Sequence, residues 1–158
     1  MNFLDLPLQG AGGDASLRQH QGQNGTLVYF MREFGCHACI HHAVELKALH
    51  ADAKSSGIEI IVIGGGNRSD ATKLQVRHEL PFMVLADPKR EAYDAFGLDR
   101  LFGYWQKSGT FLLNSQDEIV YDNIQVGPGK SLDIAAVREK LSGGPQNSVV
   151  AVELEHVR

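Results

Sequence analysis

The chain places its only two cysteines between a short apolar run and a helical pattern, and this succession constrains the fold more than any other feature. Residues 26–31 form an apolar run rich in strand-forming residues, which is typical of a buried strand. After Cys39, apolar residues recur at helical spacing as far as Ala53. The order predicts a strand, a tight turn that carries Cys36 and Cys39, and then a helix.

A second strand-to-helix step follows directly. Residues 58–63 are β-branched except for Glu59, a glycine run occupies 64–66, and residues 69–78 resume a helical pattern. Two consecutive steps of this kind indicate parallel strands, because a helix has to cross back before the next strand begins. The remaining pattern predicts a strand at 82–85, a helix from Pro88 to Ala95, a hairpin of 109–114 with 118–124, and a helix that Ser131 caps and that ends near Leu141.

This order predicts an α/β fold with a central mixed β-sheet and helices on both faces. A chain of 158 residues that is 43% hydrophobic indicates one domain, which we assign to residues 1–141. Residues 142–158 are expected to be a linker followed by a strand, since Val150, Val152 and Leu154 alternate with Ala151 and Glu153 as in a half-exposed strand. That strand would pair with its own sheet edge or cross to a partner subunit in a homodimer, and a disordered tail is the third alternative.

Charge and segment composition argue against several classes of partner. The formal net charge is -4 and no basic stripe occurs, so neither nucleic acid nor a membrane surface is expected as a partner. The first residues lack the pattern of a secretory signal, and no run approaches the ~20 apolar residues of a membrane span. We therefore expect a cytoplasmic protein, and in that reducing compartment a close cysteine pair is more often catalytic or metal-binding than structural.

The spacing of Cys36 and Cys39 suits reversible disulfide chemistry. Three residues apart on a helical turn, their Cα atoms would lie about 5 to 6 Å apart, within the range that a disulfide spans. Cys36 stands nearer the helix start, where unpaired backbone N–H groups and the helix dipole favour thiolate over thiol. Cys36 is therefore the predicted nucleophile and the more exposed thiol, and Cys39 is predicted to resolve the intermediate.

Several segments together resemble a known group of proteins. The motif Phe-x-Arg-x-Phe-Gly-Cys-x-x-Cys at 30–39 looks like the active-site turn of the thioredoxin-like superfamily, and within it like the peroxiredoxin-like proteins of the alkyl hydroperoxide reductase and thiol-specific antioxidant group. Matching segments follow in the same order at 80–88, 92–98 and 109–114, so the resemblance spans about residues 3 to 141.

This resemblance implies a thioredoxin-like fold and a thiol-dependent oxidoreductase. Such a protein would reduce a hydroperoxide or a disulfide, would take its electrons from an external thiol such as thioredoxin or glutathione, and would need no bound cofactor. Typical members place proline and threonine ahead of the reactive cysteine, where this chain has Tyr29 and Glu33, and their arginine aligns with Ser108. The resemblance also implies that Thr110 begins a strand that faces the cysteine and that its backbone could bind an extended substrate.

Three side chains near the cysteines are further candidates. A cationic His37 would favour the thiolate, although an inert exposed ring is an equal alternative. Arg32 could hold an anion or the thiolate, and the alternative is a solvated charge at the strand end. Glu33 could move a proton, but the simpler interpretation is a surface carboxylate.

Two other functions stay open from the sequence. Cys36 and Cys39 cluster with His41 and His42, and two thiolates with an imidazole would suit zinc or copper. We favour redox chemistry and predict no metal site, because the other histidines are scattered and His41 and His42 are most simply exposed. A redox-sensing interaction protein is the other alternative. The glycine run 64–66 lacks the pattern of a phosphate loop, and we expect it to be a flexible turn near the cysteine end of the sheet, where it could border a substrate groove.

Overall fold

The structure is a computed structural model that describes residues 2–143, and its centre is a pair of long parallel strands. Strand β3 (Gly25–Phe30) pairs in parallel with β4 (Ile58–Gly64), and all six residues of β3 are buried. A strand covered on both faces has no solvent-facing side, which explains why its sequence is a continuous apolar run rather than an alternating one. The predicted strands at 26–31 and 58–63 are confirmed.

Within residues 2–143 the sheet contains seven strands of mixed direction. In the order of the sheet these are β2 (Gly13–Ala15), β1 (Leu8–Gly10), β5 (Met83–Ala86), β4, β3, β8 (Ser108–Asn114) and β9 (Ile119–Gln125). Only the β3–β4 and β4–β5 pairs are parallel. The predicted strand near 82–85 and the hairpin of 109–114 with 118–124 are therefore confirmed, with bounds shifted by about one residue.

Helices cover both faces of this sheet, as predicted. The helices are α1 (His37–Glu45), α2 (His50–Ser55), α3 (Arg68–Arg77), α4 (Glu91–Ala95) and α5 (Ile134–Gly143). Side chains of α1, α2, α3 and α5 pack on the face that carries Leu27 and Tyr29. The opposite face carries Val28 and Phe30 and is covered by α4 and the N-terminal segment. Because successive strand residues point to opposite faces, β3 contributes to both cores.

Four details differ from the sequence-based expectation. The helix predicted to run to Ala53 is divided into α1, a 3-10 turn at Leu46–Leu49, and α2. The helix predicted to begin at Pro88 begins at Glu91. Ser131 does not cap α5; the carboxylate of Asp133 does so by accepting the N–H of Ala136 at 3.1 Å. The short hairpins β1–β2 and β6–β7, the latter formed by Arg100–Leu101 and Trp105–Gln106, were not predicted. The predicted strand at 150–154 lies outside the described residues.

Candidate active site

The two cysteines lie where β3 ends and α1 begins. Cys36 is the N-cap residue of α1, and its backbone (φ -76°, ψ 112°) is still extended. Its sulfur accepts the backbone N–H of Cys39 at 3.4 Å, as an N-cap side chain does. Both cysteines are free thiols, with 5% of Cys36 and none of Cys39 exposed. The predicted order of exposure is confirmed, and Cys36 is the sulfur that a small reagent reaches first.

Cys39 is held in a dry but hydrogen-bonded environment. Its sulfur accepts the backbone N–H of Arg32 at 3.2 Å, and the neighbouring Cys36 sulfur interacts with it directly. Burial raises the pKa of the Cys39 thiol to about 12, and the contact with Cys36 adds to this effect. Cys39 is therefore a protonated thiol at neutral pH, adjacent to the more accessible sulfur.

Arg32 contacts Cys39 through its backbone N–H, and its side chain has part of its donor capacity unused. Its guanidinium stacks over the Trp105 ring at 4.7 Å, and its Nη2 is 3.3 Å from a carboxylate oxygen of Glu33. The Nε atom is buried and has no hydrogen-bond partner among the residues that the structure describes. A buried, unpartnered N–H on a cation is a ready donor for an oxygen or an anion that enters the site.

A second arginine, which the sequence analysis missed, supports the loop before the cysteines. Arg90 donates from Nη1 to the backbone carbonyl of Arg32 at 3.1 Å and to the side-chain oxygen of Gln106 at 2.8 Å. Its guanidinium also lies 5.1 Å from the centre of the Tyr93 ring. Arg90 has a left-handed backbone (φ 60°), which aims the side chain back at the loop. Nothing in the local sequence signals this contact, because its partners are distant in the chain.

The glycine run at the end of β4 allows the site loop to approach closely. A Cβ atom at Gly64 would overlap the Phe34 ring, and one at Gly65 would overlap the Arg90 guanidinium. The run therefore provides space for the loop of Phe34 and Cys36. The expectation of a turn near the cysteine end of the sheet is consistent with this placement, and Gly65 lines the neighbouring groove.

Thr110 lies inside β8 and does not begin the strand. It pairs with Tyr29 on one side and with Asn123 on the other, so its backbone is already used by the sheet. Its hydroxyl donates to the backbone carbonyl of Ser131 at 2.6 Å. The resemblance implied that the Thr110 backbone could bind an extended substrate. This geometry does not provide that role, because β8 starts two residues earlier and Thr110 is paired with a strand on each side.

The predicted polar residues on α1 and in the loop separate into exposed and buried groups. His37 and Glu33 are exposed, and His41 is exposed and 3.5 Å from Glu45. His42, expected to be exposed, is buried: only 6% of it is accessible. Its position three residues after Cys39 places it on the inward face of α1, and this spacing was the available signal.

An open groove runs along the same end of the molecule. It has a volume of about 320 Å³ and lies between the site loop and α3. Phe34, Ile40 and Leu74 provide apolar lining, and Lys73 and Arg77 provide positive charge. The groove reaches Gly35, the residue immediately before Cys36.

The metal hypothesis receives no geometric support in residues 2–143. No group of three or more histidine, cysteine, aspartate or glutamate side chains there is arranged to hold an ion. Nor does any helix in this part of the chain have the length and apolar character needed to span a membrane.

Comparison with known proteins gives a consistent result. A family model described as AhpC/TSA family matches residues 3–122. Chloroplastic peroxiredoxin Q from Suaeda salsa is 27% identical over 125 residues, which cover 77% of this chain and 58% of that protein, so the chain spans little more than half of this relative.

Solved structures match over most of their length. A Xanthomonas campestris peroxiredoxin Q has a TM-score of 0.75 at 21% identity, with 90% of this chain and 93% of that one covered. A bacterioferritin comigratory protein from the same organism, described with alkyl peroxide reduction activity, has a TM-score of 0.74 at 20% identity. This match covers 89% of this chain and 92% of that one. At these identities the likeness shows the fold, and it confirms the predicted thioredoxin-like architecture.

Proposed function

Because this chain belongs to the AhpC/TSA family, we propose that it is a thiol peroxidase that uses Cys36 and Cys39 as a dithiol centre. Cys36 attacks the substrate and Cys39 closes an internal disulfide. An external thiol, such as thioredoxin or glutathione, then reduces that disulfide. The substrate class is a hydroperoxide, and no bound cofactor takes part in any step.

The observation that carries this proposal is the position of the Cys36 sulfur at the start of α1. The sulfur accepts the Cys39 N–H at 3.4 Å and lies at the positive end of the helix dipole. Both place positive partial charge beside the sulfur, where it stabilises negative charge that develops during the reaction. Cys39 is on the same turn, so the second sulfur reaches the first without unfolding the helix.

The peroxide reaction then follows in two balanced steps. The Cys36 thiolate attacks one peroxide oxygen, the O–O bond breaks, and the leaving alkoxide or hydroxide takes a proton. Cys36 is now a sulfenic acid. Cys39 attacks its sulfur, the S–S bond forms, the S–O bond breaks, and water leaves. The free N–H of Arg32 would bind a peroxide oxygen during the first step, and His37 stands one residue from the nucleophile on the exposed side.

A second candidate is the reduction of a disulfide by the same two cysteines. It is favoured by one observation: Glu33 stands where the resembling peroxidases place threonine, so the usual hydroxyl donor to peroxide is missing. In this reaction Cys36 attacks a substrate sulfur to form a mixed disulfide, and Cys39 displaces the reduced product. Both reactions give the same oxidised protein.

Stopped-flow mixing distinguishes these functions. Reduced protein is mixed with hydrogen peroxide, with an alkyl hydroperoxide or with a small model disulfide, and Cys36 sulfenate or mixed disulfide is trapped and identified by mass. We expect reaction with a peroxide at least about tenfold faster than that of free cysteine, complete loss in Cys36→Ser, and accumulation of the trapped intermediate in Cys39→Ser.

The role of Arg32 is tested in the same assay with a matched control. Arg32→Gln should slow the peroxide step by about tenfold or more, because it removes the cation. Arg138→Gln removes an exposed arginine of α5 that pairs with Asp52 of α2, and it should not slow this step. A peroxide rate no greater than that of free cysteine would contradict the peroxidase, and fast reaction with the disulfide alone would establish the second candidate.

A further inference from the structure

A hydrogen-bonded chain of two side chains leads from the Cys39 sulfur to the protein surface. The chain consists of Tyr29 and His42, and we propose that it carries the proton of the Cys39 thiol to solvent when the disulfide forms. The inference rests on the proposed dithiol function and assigns two positioning residues to its second step.

The inner part of the chain is fully enclosed. The Tyr29 hydroxyl is placed to hydrogen-bond with the Cys39 sulfur, and Tyr29 has no exposed surface. The same hydroxyl is 3.2 Å from Nδ1 of His42 and 3.4 Å from the hydroxyl of Ser131. Cys39 and His42 are three residues apart on the inward face of α1, so both lie over the one tyrosine.

The outer part of the chain reaches solvent. His42 is 6% exposed, and its ring hydrogen-bonds with the backbone of Gly129, an exposed residue of the turn beside α1. Two titratable groups on its own helix act on His42: Glu45 favours its charged form, and His41 opposes it. From the sheet, Tyr29 faces the His42 ring.

The chemistry of the second step needs such a chain. Burial raises the pKa of Cys39 to about 12, but only its thiolate attacks sulfur. Burial lowers the pKa of His42, so its ring is neutral at neutral pH and can accept a proton. Burial raises the pKa of Tyr29, so its hydroxyl does not ionise alone; it accepts the Cys39 proton while it donates its own to Nδ1 of His42.

The step is balanced with either leaving group. The S–S bond between Cys39 and Cys36 forms as the bond from Cys36 to oxygen or to a substrate sulfur breaks, and the electron pair leaves with that group. One proton passes from Cys39 through Tyr29 to His42. It then neutralises the departing hydroxide or is released to water.

A chromogenic disulfide, dithiobis(nitrobenzoate), separates the two cysteine reactions without the natural substrate. Attack by Cys36 releases one coloured thiolate, and displacement by Cys39 releases a second. Tyr29→Phe and His42→Gln keep the approximate size of each side chain but interrupt the hydrogen-bonded path from Cys39. We expect each to slow the second release by about 100-fold at neutral pH and to leave the first unchanged.

The pH profile distinguishes proton transfer from a packing effect. In the unaltered protein, the rate of the second release should rise with pH as His42 loses its proton, and then level off. Because the His42 pKa is lowered, this rise should occur below the ordinary pH range of histidine. In His42→Gln it should continue to rise with hydroxide concentration. The control Tyr121→Phe removes a hydroxyl elsewhere on the same core and should keep the original profile. His41→Gln removes the neighbouring ring that opposes the charged form of His42, so the rise should move to higher pH and still level off.

Solvent isotope substitution gives a test that needs no variant. Heavy water should slow the second release more than the first in the unaltered protein. An unslowed second release in heavy water, or an unchanged second rate and profile in both Tyr29→Phe and His42→Gln, would overturn the relay. If instead the peroxide rate is no greater than that of free cysteine, the proposed function fails, while the second release still reports on the relay.

Discussion

Cys36 and Cys39 are the same residue type three positions apart, yet the fold gives them different environments. Cys36 caps a helix and retains some exposure, whereas Cys39 lies under the helix with no exposed surface. The burial of Cys39 raises its pKa, so the thiol is protonated at neutral pH. The proposed division between an attacking and a resolving thiol therefore follows from position on one helical turn.

Asp87 shows a second consequence of burial for one titratable residue. It is 3% exposed, and its carboxylate accepts the backbone N–H of Ala92 at 2.8 Å and of Tyr93 at 3.3 Å, which anchors the start of α4. Desolvation raises its pKa above the ordinary value of 3.8 despite these hydrogen bonds.

The raised pKa of Asp87 predicts a pH dependence of stability. Between pH 3.8 and the raised pKa, the folded protein retains a proton that the unfolded chain has lost, so the free energy of unfolding falls as pH rises through that interval. Relative to Asp87→Asn, which does not titrate, the unaltered protein should lose stability over this range. Urea denaturation of both proteins at several pH values measures the difference.

Asp99 provides the matched control for this prediction. It is exposed, and Lys107 lowers its pKa by a hydrogen bond of 3.0 Å. Relative to Asp99→Asn, stability should therefore decrease as pH falls, which is the opposite direction. Equal slopes for Asp87→Asn and Asp99→Asn would contradict the assignment.

At the scale of secondary structure, the sequence predicts elements whose signal is local. β3 and β4 are rich in β-branched and apolar residues, with Glu59 the charged exception, and α1 begins after a cysteine followed by helical spacing, so all three were predicted. β1–β2 and β6–β7 are hairpins of two or three residues per strand, too short for an alternating pattern to register.

The candidate site divides in the same way. Its cysteines and Arg32 stand in one motif and were found from the sequence. Arg90 contacts Arg32 across 58 residues of chain, and Tyr29 meets His42 from a different element. Contacts of this kind depend on how strands and helices are stacked, so no single segment of the sequence contains the information.

The end of β4 offers a prediction for an element boundary. Gly64→Ala adds a methyl group that overlaps the Phe34 ring and displaces the loop before Cys36. We expect the free energy of unfolding to fall by about 1–3 kcal/mol, as overpacking does in buried sites. Reaction of Cys36 with a chromogenic disulfide should slow as well, because the loop moves.

Two further variants identify Phe34 as the cause. Gly12→Ala places its methyl group in open space and should leave stability nearly unchanged. In Gly64→Ala combined with Phe34→Ala, the two losses should be less than additive, because the clash is removed. Additive losses would show that Gly64 matters for a reason other than this contact.

At the scale of the whole molecule, the resemblance seen in the sequence is confirmed by the family match and by the fold. The site lies at one end of the sheet, where β3 and β4 finish and the cysteine helix begins. The helices of one face carry the thiols, and the other face carries an aromatic core of Phe30, Tyr93, Phe96 and Phe111.

Tyr93 connects that aromatic core to the end of the sheet that supports the site. Its ring packs edge-on against Phe30 at 5.0 Å, and its hydroxyl donates to the Met31 carbonyl at 2.5 Å and contacts the Ile63 carbonyl at 3.3 Å. These carbonyls lie at the ends of the two central strands. One hydroxyl therefore joins the α4 layer to the strands from which the cysteine loop departs.

Removing this hydroxyl should weaken the whole fold while the ring packing is kept. Tyr93→Phe leaves two buried carbonyls with one donor fewer, and we expect the free energy of unfolding to fall by about 1–3 kcal/mol in urea denaturation. Tyr104→Phe makes the same chemical change at a ring that is 75% exposed and should have almost no effect. If the two variants lose equal stability, the carbonyl contacts of Tyr93 do not hold the layers together. A loss confined to Tyr93→Phe would show that the layer opposite the thiols is energetically coupled to the strand ends from which the loop before Cys36 departs.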